Sequence, residues 1–271
     1  MKKNSLARKI VRTIRSVVGQ KQFYRAVRLL MYEARFDVLN DPASNGESYL
    51  QRTVLRFASN GMVFDVGANV GDWTTSLLQN AHSGIEVHAF EPSAGTFEML
   101  QKRCTHFPFV TLIPMACSDV VGTAWMIEVG AGAGTNALTS DPSHASRKVS
   151  VTTIDSYCQS IGISHIDLLK IDAEGHDFNV MLGTRAMLES HRIEVIQFEY
   201  NHRWISSRRV LKDAFDLLVP LGYAVGKLTG NAVQFYPHWH WELETYREGN
   251  YVACLPGWQS RFREVPASWI S

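Results

Sequence analysis

Five carboxylates, Asp65, Glu91, Asp119, Asp172 and Glu199, each stand at or just past the end of a short apolar run. In an alternating α/β chain such positions gather on one edge of a parallel sheet, where ligands bind. Five acids on one edge suit a cationic ligand and leave some over for acid–base work. Asp65 is followed by Gly67-Ala68-Asn69-Val70-Gly71, and Asp72 to Leu78 then opens a helical pattern. Strand, glycine turn and helix begin a nucleotide-binding βαβ unit. The glycines let backbone approach a ligand, and the helix N-terminus offers free N–H groups. The bland alternative is a tight turn with no ligand.

The turn discriminates between ligands. A dinucleotide turn reads Gly-x-Gly-x-x-Gly, and its middle glycine leaves room for a pyrophosphate. Here Asn69 fills that position, and Asp65 would repel a pyrophosphate. That disfavours a nicotinamide-dependent oxidoreductase. S-adenosylmethionine carries an ammonium and a sulfonium but no phosphate, and it suits the charge. Glu91 ends the strand 85–90 and is positioned to accept both ribose hydroxyls; otherwise it is a surface glutamate. Pro92 stops that strand, and Ser93 is expected to cap a helix over 94–104.

A third cluster, Lys170-Ile171-Asp172-Ala173-Glu174-Gly175-His176-Asp177, ends a buried strand. It resembles a motif of the FkbM-type family of class I S-adenosylmethionine-dependent methyltransferases. The likeness extends to Asp65–Gly71, Phe90-Glu91-Pro92, Ala116-Cys117-Ser118-Asp119 and Thr153-Ile154-Asp155, in the family's order, and covers about residues 50 to 205. His176-Asp177 departs from it. The resemblance implies a Rossmann-like, doubly wound, mostly parallel seven-stranded sheet and a hydroxyl acceptor. It implies that Asp65 and Gly67, with Asn69 and Gly71 in the turn, hold the methionine end. Glu91 would hold the ribose, Asp119 the adenine amino group, and Asp172 would border the cofactor. Ser118-Asp119 also reads as the mere start of a turn.

A hydroxyl nucleophile needs a general base within hydrogen-bond reach. His176 is the first choice because its ordinary pKa is near neutral, followed by Glu174 and Asp172. An isolated histidine after a strand also reads as a structural residue. Glu199 and His202 are candidate substrate contacts. So are Trp239 and Trp241 of Pro237-His238-Trp239-His240-Trp241, whose indoles would suit a sugar face. The same segment also reads as an ordinary hairpin. Asp172, Glu174, Asp177 and Glu199 are hard oxygen donors, but spacing alone establishes no metal site and none is expected.

The elements that must position these groups alternate through most of the 271 residues. Strands are expected at 62–66, 85–90, 110–116, 166–171, 194–200 and 222–227, then at 232–236 and 251–255. Helices are expected at 72–80, 94–104, 154–162, 177–190 and 207–219. Two strand-like runs, 123–129 and 148–153, flank a Gly-rich excursion expected at the substrate mouth. The polar cluster 40–47 divides a helical arm (1–46) from a catalytic domain (47–257), and 258–271 forms a tail.

The net charge of +1 argues against a generic polyanion binder, and no nucleic-acid partner is expected. Four scattered cysteines suit a reducing compartment. No apolar run reaches the ~18 residues of a membrane span. Residues 1–32 hold nine Lys or Arg and no acid, with Leu6, Ile10, Val11, Ile14, Val17 and Val18 on one helical face. This amphipathic arm could pack on the domain, serve as a transit segment, or touch an anionic membrane. A cytoplasmic place, with peripheral contact on the inner membrane face, fits the last. The leading expectation is methyl transfer from S-adenosylmethionine to a hydroxyl, most readily on a sugar of a glycan, glycolipid or glycosylated metabolite. A polyketide-type hydroxyl and a non-catalytic cofactor-binding module are the alternatives.

Overall fold

A computed structural model describes residues 3–37, 41, 44–58, 61–81, 84–139 and 141–270. The chain begins with helices α1 (Lys3–Val18), α2 (Gln20–Arg35) and α3 (Glu47–Phe57). The alternating part runs β1 (Met62–Val66), α4 (Asp72–Asn80), β2 (Glu86–Phe90), α5 (Ala94–Cys104) and β3 (Val110–Ile113). An inserted segment holds β4 (Ala116–Cys117), β5 (Gly122–Ile127), β6 (Ala137–Thr139) and β7 (Arg147–Thr152). Then follow α6 (Ile154–Ile161), β8 (Ile166–Ile171), α7 (Asp177–Leu182), α8 (Arg185–Glu189), β9 (Ile193–Tyr200) and α9 (Leu211–Leu218). The chain closes with β10 (Ala224–Thr229), β11 (Ala232–Tyr236), β12 (Gly249–Cys254) and the helical turn α10 (Pro256–Gln259).

The main sheet has the order β11-β10-β12-β9-β8-β1-β2-β3. β3, β2, β1, β8 and β9 pair in parallel, and β12 runs antiparallel between β9 and β10. These seven strands form the expected mostly parallel sheet. β11 adds an eighth at the edge through a hairpin whose two-residue turn is Gly230-Asn231.

Successive residues of each buried strand serve opposite faces. On β1, Phe64 and Val66 enter a core shared with α6 to α9, whereas Val63 packs with Leu50, Val54 and Leu77 from α3 and α4. The sheet is therefore covered on both sides, as a parallel sheet must be. Trp258 and Phe262 of the tail join the second core, and Trp269 Nε1 donates to Gln234 Oε1 at 3.2 Å.

Local differences from the expected elements have local causes. The strand expected at 110–116 divides at Pro114, whose missing N–H ends the ladder. β3 stays in the main sheet while β4 joins a second sheet, β4-β7-β5-β6. The helix expected over 177–190 is two helices. Gly183 between them is pressed so close to the Ser118 carbonyl that a Cβ would stand 1.9 Å from its oxygen. The helix expected from 207 starts at Leu211, after a 3-10 turn at His202–Ile205. Ser93 precedes α5, but its hydroxyl makes no capping bond.

Candidate active site

β1 and β8 lie side by side with Asp65 opposite Lys170, so the turns beyond their ends almost touch. Gly67 takes φ +76°, and a Cβ there would stand 1.9 Å from the Asp172 carbonyl oxygen. Only glycine fits that approach. The N–H groups of Gly67 and Ala68 both donate to the Phe90 carbonyl, at 3.0 and 2.9 Å, which ties the turn to β2. Asn69 follows at φ +49°, a left-handed position that asparagine tolerates. Beyond these strand ends opens a cavity of about 510 Å³, within the usual range for small-molecule sites.

Gly67, Asn69, Glu91, Asp172, Glu174, His176, Glu199 and His202 all line this cavity. Glu91 accepts Asn69 N–H at 3.1 Å on one oxygen and Ser93 N–H at 2.8 Å on the other. Each oxygen keeps a lone pair for a ligand hydroxyl. Burial pushes the Glu91 carboxyl up to about 7 despite those two donors.

Asp65 departs from its expected role. Its side chain is fully buried and is absent from the cavity wall. Thr74 Oγ1 donates to one carboxylate oxygen at 2.5 Å, and Lys170 Nζ stands 3.0 Å from the other. The face of β1 that carries Asp65 turns under α4, away from the ligand side. Lys170 also donates to the Gly67 carbonyl at 3.1 Å and lies 3.5 Å from Asp172. Burial works against its charge, but Asp65, Asp172 and Glu47 outweigh it and hold the ammonium above its ordinary range. Lys170 lines the cavity and escaped the sequence analysis as a site residue. An apolar strand ending Leu-Leu-Lys-Ile-Asp, with a charge in its buried interior, was the available signal.

The turn after β8 is held from inside. The buried Asp177 accepts the N–H groups of Ala173 and Gly175, at 3.3 and 3.0 Å. Burial, then the nearby Asp172, push its carboxyl up to about 8. Glu174 sits at φ +54°, a conformation uncommon outside glycine. It pairs with Arg203 at 2.7 Å, yet burial and Asp172 push it up to about 7. His176 Nε2 is 2.7 Å from Ser118 Oγ, and that hydroxyl donates to Asp119 at 2.7 Å. Burial lowers the His176 pKa, against an opposing pull from Asp119. His176 therefore faces the β4 side of the cavity, with Glu174 toward the β9 side.

Burial, Asp172 and a hydrogen bond with Glu248 raise Glu199 well above the ordinary carboxylate range. Glu47, Glu248 and Asn250 complete that wall; sequence reading missed them because they come from α3, the residue before β12 and β12 itself, far away along the chain. The Gly-rich excursion crosses the cavity as expected, with residues 133–138 on its wall. A Cβ on Gly134 would stand 3.8 Å from Asn69 Nδ2 and 4.0 Å from Glu174 Oε1.

Besides Asp65, four expected contacts do not reach the cavity. Gly71 serves instead as the N-cap of α4. Asp119 is exposed beside the cavity rim, where bonds from Ser118 and Asn179 outweigh burial and keep its pKa low. Trp239 packs against the main core, with its indole N–H donating to Glu244 at 2.8 Å, and Trp241 is exposed. Both follow β11 in the chain, and neither lines the cavity. Among the described residues no cluster suited to a metal ion is found.

Two buried polar atoms on the cavity wall, Asn69 Oδ1 and Trp73 Nε1, have no partner within the protein. Such atoms call for a ligand with both a donor and an acceptor. With carboxylates on most sides, the donor set fits S-adenosylmethionine. A cavity of this charge over the carboxyl ends of a sheet ordered β3-β2-β1-β8-β9-β12-β10 defines a Rossmann-like methyltransferase.

The comparison with known proteins is more specific. The Methyltransferase FkbM domain matches residues 65–225. The chain belongs to this family, and its methyl donor is S-adenosylmethionine. It is 25% identical over 201 residues to the 31-O-demethyl-FK506 methyltransferase FkbM of Streptomyces tacrolimicus, covering 63% of this chain and 71% of that one. It is also 25% identical over 171 residues to the hexuronic acid methyltransferase AglP of Haloferax volcanii, covering 62% and 67%. Among solved structures, the O-methyltransferase TomG of Streptomyces achromogenes with SAM aligns at TM-score 0.42, with 8% identity over 80% of this chain and 81% of that one. An O-methyltransferase of Bacillus cereus with SAH aligns at 0.41, with 10% identity over 91% and 97%. The strand order, not these low scores, defines the fold.

Proposed function

We propose that this chain transfers methyl to a hydroxyl of a sugar, with Glu174 as the general base. The carrying observation is the Glu174 carboxyl on the cavity wall, raised to about 7 between Asp172 and Arg203. At that value it is half ionised near neutral pH, where a base works best. Its left-handed backbone, held by the Asp177 bonds on either side, is the kind of strain that function retains.

S-adenosylmethionine, when bound, supplies a methyl on a sulfonium for in-line displacement. Glu91 would hold its ribose hydroxyls, and Gly67 and Asn69 would border its amino-acid end. Asp172 would balance its positive charge. Glu174 would then draw the proton from the acceptor hydroxyl as the oxygen attacks. Alignment of the acceptor in the cavity contributes most, on the order of 7 kcal/mol or more. His176, tied to Ser118, would fix the β4 wall and leave the proton to Glu174.

A sugar suits the cavity because His202, Arg203 and Asn250 line it with imidazole, guanidinium and amide groups that can bond a polyol. The name of AglP, a hexuronic acid methyltransferase, supports the same class. A polyketide-type hydroxyl is the second reading, favoured by the apolar Met126, Ala137 and Leu138 on the same wall. Incubation with labelled cofactor and a library of glycans and apolar alcohols, read by mass spectrometry, separates the two. Cofactor binding with no turnover on any member would instead favour a non-catalytic module.

A further inference from the structure

We propose that α1 and α2 are a foot that lies on an anionic lipid surface. Leu6, Ile10, Ile14 and Val17 recur at steps of four, four and three along α1, and they are 66%, 51%, 47% and 79% exposed. On α2, Phe23, Val27, Leu30 and Met31 follow the same periodicity, and no residue of that helix is buried. These are the stripes with which a helix normally enters a core, yet the domain does not cover them.

Charge selects the occupant. Arg8, Lys9, Arg12 and Arg15 occupy the opposite side of α1, and Lys21, Arg25 and Arg28 likewise lie on the side of α2 opposite its apolar stripe. Residues 1–32 hold nine of the 27 Lys and Arg and none of the 26 Asp and Glu. The rest of the chain is therefore acidic. A bilayer of anionic lipid supplies what this arm lacks, apolar depth beneath a dense layer of negative charge. A second arm would cover the apolar stripe but would bring nine more cations against it. Each helix has 16 residues, and no described helix is long and apolar enough to cross a membrane, so the arm lies on the surface.

The last turn of α2 fastens the foot to the body of the chain. Arg35 donates to the Glu242 carbonyl at 2.8 Å and stacks 4.1 Å from the Trp269 ring, while Lys227 binds the Arg35 carbonyl at 3.0 Å and pairs with Asp37. Contact with lipid is thus passed to the body through the last turn of α2. The inference is independent of the acceptor, because binding is read without turnover.

The test is sedimentation of the full chain with phosphatidylcholine vesicles, with and without phosphatidylglycerol. Binding is expected only to the anionic vesicles and should weaken as salt rises. Each cation removed near the surface lowers partitioning roughly fivefold, so the pair Arg8→Gln and Arg12→Gln should lower it more than tenfold. The pair Ile10→Asp and Ile14→Asp should abolish it while S-adenosylmethionine binding by calorimetry stays unchanged. Failure to bind anionic vesicles would overturn the proposal. So would equal binding to neutral ones, or a dimer seen by light scattering that the two Ile→Asp substitutions disperse in a chain that ignores vesicles.

Discussion

Lys170 Nζ lies 3.0 Å from Asp65 Oδ1, and neither side chain is more than 5% exposed. The pair joins β1 to β8 directly beneath the Gly67 turn, and the lysine's contact with Asp172 extends it to the ligand side. Asp65 is thus a counter-ion that holds the cavity floor together. Removing one partner strands a buried charge, which costs far more than the pair itself contributes. Lys170→Met should destabilise the chain by about 3–5 kcal/mol in urea unfolding, and adding Asp65→Asn should recover part of that loss. Additive losses in the double variant would show that the two are not coupled.

Gly67 tolerates no side chain, because the Asp172 carbonyl occupies the space a Cβ would take. Gly67→Ala should cost about 3 kcal/mol or more and should eliminate cofactor binding measured by calorimetry. Gly134→Ala, whose Cβ would meet Asn69 and Glu174 only at ordinary van der Waals distance, is the control and should retain both.

Glu91 is held with one lone pair of each oxygen facing the cavity, so its loss removes charge-assisted bonds to the ribose. Glu91→Ala should weaken S-adenosylmethionine binding roughly 10- to 100-fold, at about 1.5–3 kcal/mol for hydrogen bonds to a charged group. An unchanged dissociation constant would place the ribose elsewhere.

Glu174→Gln should lower kcat by about two to four orders of magnitude while leaving cofactor affinity within a few-fold. His176→Asn should leave kcat within about tenfold, because the imidazole serves Ser118. The reverse ranking in a turnover assay would return the base role to His176.

The pH dependence follows from signs. Glu91 and Glu174 near 7 and Asp177 near 8 all lie above the ordinary carboxylate range, so the folded chain binds more protons than the unfolded one. The stability linked to these protons is fully present below about pH 4 and is lost as pH rises through 7 to 8. Thermal unfolding of the ligand-free chain should therefore shift to lower temperature between about pH 5.5 and about pH 8.5. A cationic ligand favours the ionised carboxylates, so S-adenosylmethionine affinity should rise over the same window, with proton release detected by calorimetry in two buffers.

Much of the fold was legible because its signals are local. Apolar runs of five or six residues ending in an acid, and glycines at the turns, place β1, β2 and β8 within a residue or two. The alternation of strand and helix then leaves few topologies open. The division of helix 177–190 was not legible, because it follows from contact of Gly183 with Ser118, 65 positions earlier in the chain.

The sequence by itself determined which groups reach the strand ends: Gly67, Asn69, Glu91, Asp172 and Glu174 are carried there by strand length and turn chemistry. Only the tertiary structure decided which way each charge faces. Asp65 and Asp172 read alike along the chain, but the first points under α4 into Lys170 and the second stands at the cavity. Glu47 and Glu248 join the same wall from opposite ends of the chain, and Trp239 leaves it for Glu244. Periodicity is a property of neighbours in the chain, whereas the pairing of buried charges depends on neighbours in space.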